Sequence, residues 1–190
     1  LGTSTFVLEP TKANENSFRY YDIDTNLLSR SAYDVFLKEI LNEAIRGTFI
    51  YVVLQGSSKI VATFGEINLN KLVQDIKKRI DDLMISEKIY RYNENVIAVF
   101  LEDVKRVESY DYIEQIHSVL SSLYDIEGSK IQCNFKYTEI NFSSNVRPLD
   151  EVQRAVSKAI KDLSKIEDNM IQIAESSIVR LASKEDYIMK

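Results

Sequence analysis

The side chains of this sequence with chemical potential are few and scattered. A turn at Asn93-Glu94-Asn95 offers one carboxylate and two amides between two apolar runs, Ile89 to Tyr92 and Val96 to Leu101. Carboxylates in exposed turns are common, so Glu94 by itself marks no site. The single His117 and single Cys133 lie far apart and give no spacing for a zinc site or a Cys-His dyad. His117, between Ile116 and Ser118, reads as a side-facing or solvated imidazole, and Cys133, among alternating apolar neighbours, as a core residue. Lys77-Lys78-Arg79 is followed by Asp81 and Asp82, which marks a solvated helix face. With a net charge of −5, no nucleic-acid partner is expected.

The elements that must position these residues follow from periodicity. In 190 residues, 45% apolar and 28% charged, one core of ordinary size is expected. Residues 1–19 are polar and aperiodic and read as a linker or arm that Phe18, Tyr20 and Tyr21 dock on the body. Ser31 to Asp34 has the form of a capping box, followed by Tyr33, Phe36, Leu37, Ile40 and Leu41 at helical spacing until Gly47. Thr48 to Leu54 is a continuous apolar strand, buried on both faces, ended by a turn at Gln55 to Ser58. Asn68 is placed to cap a helix through Leu72, Val73, Ile76 and Ile80. The hairpin of residues 89–101 follows, then a helix from Tyr110 to Tyr124. Ile131, Cys133, Phe135 and Tyr137 alternate with Gln132, Asn134, Lys136 and Thr138, which predicts a strand with one wet face. Asp150 would cap a helix reaching Leu163, Met170 to Ile173 reads as a last strand, and Ser176 to Lys190 as an uncapped helix.

No apolar run is long enough to cross a bilayer, no leader is recognised, and the lone cysteine suits a cytoplasmic setting. Because the chain starts at Leu1, it is read as a piece of a longer protein, whose membrane tether, if any, would lie upstream.

Placed on these elements, four segments resemble the GGDEF domains of diguanylate cyclases. Tyr21-Asp22-Ile-Asp-Thr25-Asn-Leu27-Leu-Ser29-Arg30 is similar to Asp-x-Leu-Thr-Gly-Leu-x-Asn-Arg. Phe64-Gly65 to Asn70 is similar to Tyr/Phe-Gly-His-x-x-Gly-Asp. Arg91-Tyr-Asn93-Glu94-Asn95-Val96 stands where Arg-x-Gly-Gly-Asp/Glu-Glu-Phe is expected, and Leu163-Ser164 to Asn169 matches the closing Ala-Lys-x-x-Gly-Arg-Asn. The resemblance implies an α+β, ferredoxin-like nucleotidyl-cyclase fold over residues 20–174: a mixed sheet with a central antiparallel hairpin and flanking helices. Residues 175–190 would form a connector helix towards a further domain.

In the family, two GTP molecules are joined with the help of Mg²⁺ held by acidic side chains. Here the metal positions fall on Val53, Gln55 and Asn95, and the signature glycines on Asn93 and Glu94. Val96 stands for the following Glu, Val61 and Asn70 for the base-recognising pair, and Ser164 and Asp168 for the phosphate-binding cations. Losing anions, glycines and cations together removes the electrostatic basis of phosphoryl transfer. The resemblance therefore implies a degenerate, regulatory or dimerising module without cofactor, controlling a fused EAL-type phosphodiesterase domain in cyclic di-GMP signalling. Two alternatives remain: a receptor that binds GTP or cyclic di-GMP without turnover, and a cyclase using displaced carboxylates, in which a turn slipped by one residue would make Glu94 an Mg²⁺ ligand with Glu66 or Glu102 as helper.

Overall fold

The computed structural model describes residues 20–143, 148–164 and 173–175. The elements run α1 (Arg30–Glu43), β1 (Gly47–Leu54), α2 (Ser57–Phe64), α3 (Glu66–Asp81), β2 (Ile89–Asn93), β3 (Val96–Glu102), α4 (Arg106–Leu120), β4 (Tyr124–Ile126), β5 (Ser129–Ile131), β6 (Phe135–Phe142), α5 (Leu149–Ser164) and β7 (Ile173–Glu175). Five strands form one sheet in the order β2-β3-β1-β6-β7, antiparallel except for β6 with β7, and β4-β5 is a separate ribbon. This is the expected α+β class, with β1 as the middle strand and the hairpin β2-β3 along one side of it.

The continuous apolar run of β1 is what a strand needs when both faces are covered. Ile50, Val52 and Leu54 point into one core with α3, α4 and Tyr137. Phe49, Tyr51 and Val53 point into the other, with α1, α5, Tyr90 and Phe100. The second core is aromatic: Tyr33 meets Phe49, Tyr51, Tyr90 and Tyr92 at centroid distances of 5.1–6.3 Å, and the buried Tyr33 and Tyr51 hydroxyls share a hydrogen bond of 2.7 Å. Burial without full compensation pushes both phenols well above the usual tyrosine range. Gly47 opens β1 and is not the helix stop; α1 ends earlier, at Ala44 in the left-handed region with φ of 53°. A side chain at Gly47 would put its Cβ 2.4 Å from the Leu101 carbonyl oxygen, so only glycine fits.

The structure corrects several boundaries. Ser29, not Ser31, caps α1 by accepting from the Ala32 amide, and Asp34 pairs instead with Arg30 at 3.2 Å. Ser57 and Ser58, read as the end of a turn, instead open α2, which runs to Phe64 and buries no residue fully. Asn68 lies inside α3, where its Nδ2 donates to the Phe64 carbonyl and to Glu127 Oε1. The α4 helix starts at Arg106 rather than Tyr110 and ends before Tyr124, whose ring belongs to β4 and the core. The alternating stretch is broken: β5 ends at Ile131 and β6 begins at Phe135. Its second face is not wet, because α5 lies over it and Lys136 and Thr138 are 2% and 0% exposed. Asp150 is in the first turn of α5, paired with Arg154, and is not its cap. Tyr20 and Tyr21 anchor the chain by backbone bonds while their rings stay about half exposed. The last strand spans Ile173–Glu175. The arm of residues 1–19, the helix expected from Ser176, and Asp168 lie outside the described residues. Among the described residues, no helix is long and apolar enough to cross a membrane.

The outer edge of β2 is occupied. Leu28 donates its amide to the Ile89 carbonyl at 3.1 Å and accepts from the Arg91 amide at 2.7 Å. The lead-in loop therefore acts as a one-residue extension of the sheet.

Candidate functional site

The candidate site is the end of the sheet at which β1 stops and the β2-β3 hairpin turns. Asn93 makes the turn by accepting the Asn95 amide on its Oδ1 at 3.0 Å, the side-chain mimic of a backbone turn that asparagine favours. Asn95 then staples the tip to the strand. Its carbonyl accepts from the Leu54 amide at 2.8 Å, and its Nδ2 donates to the Leu54 carbonyl at 3.1 Å. Glu94 is exposed at the apex.

Arg91 organises the flank of this tip. Its side chain is 11% exposed, and the guanidinium donates to Asn70 Oδ1 at 2.9 Å, to Asp22 Oδ1 at 3.3 Å and to the Glu94 carbonyl at 3.5 Å. One side chain thus joins the lead-in loop, the start of α3 and the hairpin. Asp22 is fixed in turn because the same oxygen accepts from the Thr25 amide and hydroxyl. Asn26, at the glycine position of the lead-in motif, has φ of 58°, a conformation asparagine tolerates better than most residues.

The positions singled out in the sequence fall as follows. Val53 and Val96 are register partners on β1 and β3, buried in the aromatic core at 0% and 1% exposure. Gln55 continues past the end of β1, with its amide donated to the Asn134 carbonyl. Val61, on α2, packs against the first core rather than facing a ligand. Asn70 and Arg91 are brought together; Ser164 is the last residue of α5. The alternative acids do not converge: Glu102 ends β3 at the far edge of the sheet, about 20 Å along the strand from the tip, and pairs with Lys88, while Glu66 opens α3. Among the described residues, no group of three or more metal-ligating side chains is assembled.

The donor set can be tested against the Mg²⁺ that the fold family implies. Mg²⁺ demands oxygen ligands in near-octahedral array. The strand-end positions offer two buried valines and two amides, and the Asn95 amide presents its N–H side to the Leu54 carbonyl. These residues do not fit the ion.

Other residues with chemical potential serve structure. His117 lies with Nδ1 3.2 Å from the Tyr137 hydroxyl and Nε2 3.2 Å from Ser121 Oγ, one turn along α4. Cys133 is buried, which pushes its thiol up to about 11. Arg79, expected on a solvated helix face, is instead largely buried: it stacks 3.7 Å over the Tyr124 ring and donates to the carbonyls of Ser122 and Leu123 beyond α4. Missing from the sequence reading was the Arg91–Asn70–Asp22 junction. The three residues are far apart in sequence, and a polar triad without a fixed spacing leaves no periodic signal.

No family model matches this sequence, nor does any curated protein. Solved structures do match the fold. The GGDEF domain of FimX from Pseudomonas aeruginosa superposes with a TM-score of 0.72 at 14% identity, covering 82% of this chain and 98% of that one. A diguanylate cyclase/phosphodiesterase from Caldicellulosiruptor saccharolyticus gives 0.67 at 20% identity, with 86% and 97% covered. The S helix-GGDEF-EAL structure of Vibrio cholerae LapD, bound to cyclic di-GMP, gives 0.65 at 14% identity, with 92% of this chain and 44% of that one covered. The chain has the fold of the GGDEF domains of diguanylate cyclases. That fold occurs in cyclic di-GMP signalling proteins, one of them joined to an EAL domain.

Proposed function

We propose that this chain is a catalytically inactive GGDEF-fold module of a cyclic di-GMP signalling protein. It acts by self-association or by biasing a fused EAL-type neighbour, not by turning over nucleotide. The observation that carries the reading is the paired burial of Val53 and Val96 at the end of β1. Phosphoryl transfer needs charge brought to the reacting phosphates by metal and cations, and two valines in a sealed aromatic core bring none. The Arg91 junction supports the same reading, since the polar groups beside the tip are spent on one another. A regulatory role then consists of two states of the module with different contacts to its partner. The test is incubation of the chain with GTP and Mg²⁺ and chromatographic detection of cyclic di-GMP. No product is expected, and product that disappears in Glu94→Ala would establish instead a cyclase with displaced carboxylates. Calorimetric titration with GTP and cyclic di-GMP separates a receptor from a module without ligand: saturable heat would assign it the receptor role.

A further inference from the structure

Lys136 is almost wholly buried, and its place in the register gives it a role. Val53 pairs with Val96 on one side and with Lys136 on the other. The three side chains therefore form one row across β3, β1 and β6 at the end of the sheet that carries the hairpin tip. Directly paired residues on antiparallel strands hold their Cβ atoms about 5 Å apart. The Lys136 ammonium donates to the Leu163 carbonyl at 3.3 Å, in the last turn of α5. Carbonyls there lack helical partners, and the helix dipole favours a cation.

We propose that Lys136 is a built-in cation that stands in for a divalent metal at this end of the sheet, tying α5 to β6 and closing the row to Mg²⁺. This deepens the reading of the module as non-catalytic and rests on it for the placement of the row. Two backbone oxygens at this end of the fold are engaged by side-chain N–H donors: Leu163 by Lys136, and Leu54 by Asn95. Beside them stand two valines, and a positive charge held out of water repels a second cation with little screening.

The test is a titration of the isotopically labelled chain with Mn²⁺, a paramagnetic probe for Mg²⁺ sites, read by amide line broadening at Leu54, Asn95 and Val96. The unaltered protein is expected to show no saturable broadening there. Val53→Asp alone is expected to pair internally with Lys136 and stay metal-free. Val53→Asp with Lys136→Met is expected to bind Mn²⁺ at least roughly tenfold more tightly than Val53→Asp alone. Saturable broadening in the unaltered protein overturns the proposal, and so does equal Mn²⁺ affinity in the two variants. Because the first measurement needs no substitution, misfolding of a variant leaves the proposal open to refutation. Mn²⁺ binding without cyclic di-GMP synthesis would remove this inference alone, whereas synthesis would remove the functional reading on which it rests.

Discussion

The substitution Asn95→Asp exchanges one atom group and isolates the chemistry of the hairpin tip. In the folded chain the Asn95 amide donates to the Leu54 carbonyl at 3.1 Å. A carboxylate cannot donate, so the change removes a hydrogen bond and sets an anionic oxygen against a carbonyl oxygen. Losing the bond costs about 1 kcal/mol and leaving the facing group unpaired adds a similar amount, for a total of about 2 kcal/mol. For a domain of this size that lowers the melting temperature by roughly 4–8 °C. The sign of the pH dependence follows. The new acid is less easily ionised when folded than when unfolded, where its pKa is about 3.9. The folded variant therefore binds protons more readily, and its deficit is full at neutral pH. As pH falls through the raised value, the protonated acid again donates to Leu54 and the deficit shrinks. Urea unfolding of both proteins at neutral and mildly acidic pH measures this. With Lys136 closing the row, added Mg²⁺ should not restore the loss. A variant as stable as the parent at neutral pH, or one rescued by Mg²⁺, would refute the reasoning.

Three further outcomes are expected. Gly47→Ala would drive a Cβ to 2.4 Å from the Leu101 carbonyl oxygen and 2.6 Å from the Phe100 ring; a loss of about 3 kcal/mol or more by urea unfolding is expected, and a loss near zero would show that β1 can shift away from β3. Tyr33→Phe leaves the buried Tyr51 hydroxyl without its 2.7 Å partner, costing about 1–3 kcal/mol, to be checked by the same unfolding curves. The Cys133 thiol, raised to about 11, should react slowly with a thiol reagent at pH 8 and faster as pH climbs or denaturant is added; because its folded value exceeds the unfolded one of about 8.5, its contribution to stability is complete below that value and fades as pH rises towards 11, and rapid labelling at pH 8 would contradict its burial.

The elements whose burial and periodicity agree were legible in the sequence. The apolar run of β1, the stripe of α3 and the hairpin with its Asn93-Glu94-Asn95 turn were all placed from residue type alone. The misses have physical causes. Alternation from Ile131 to Tyr137 carries no record of a break, yet the chain leaves β5 and enters β6 between them. Tyr124 was expected to end α4, with Leu123 on its inner stripe, yet Leu123 is exposed and the Tyr124 ring serves a β-ribbon under Arg79. The α2 helix has no buried residue to betray it, and Gly56 and two serines imitate a turn. Lys136 was read as wet because lysine usually is; only the register of three strands and the covering α5 helix reveal its burial. At the site, Asn95 was legible as a neutral residue where an acid would hold metal. That its amide joins tip to strand depends on a contact with Leu54, 41 residues away, which leaves no local signal.

The backbone bonds of Leu28 to β2 bear on how this module can meet other proteins. With that margin satisfied and both sheet surfaces roofed by helices, a second polypeptide cannot join here by strand addition unless residues near 28 first peel away. At this margin a partner must therefore grip the outer sides of helices or the protruding turn. Recruitment at β2 would be coupled to displacement of the very segment through which the upstream chain arrives.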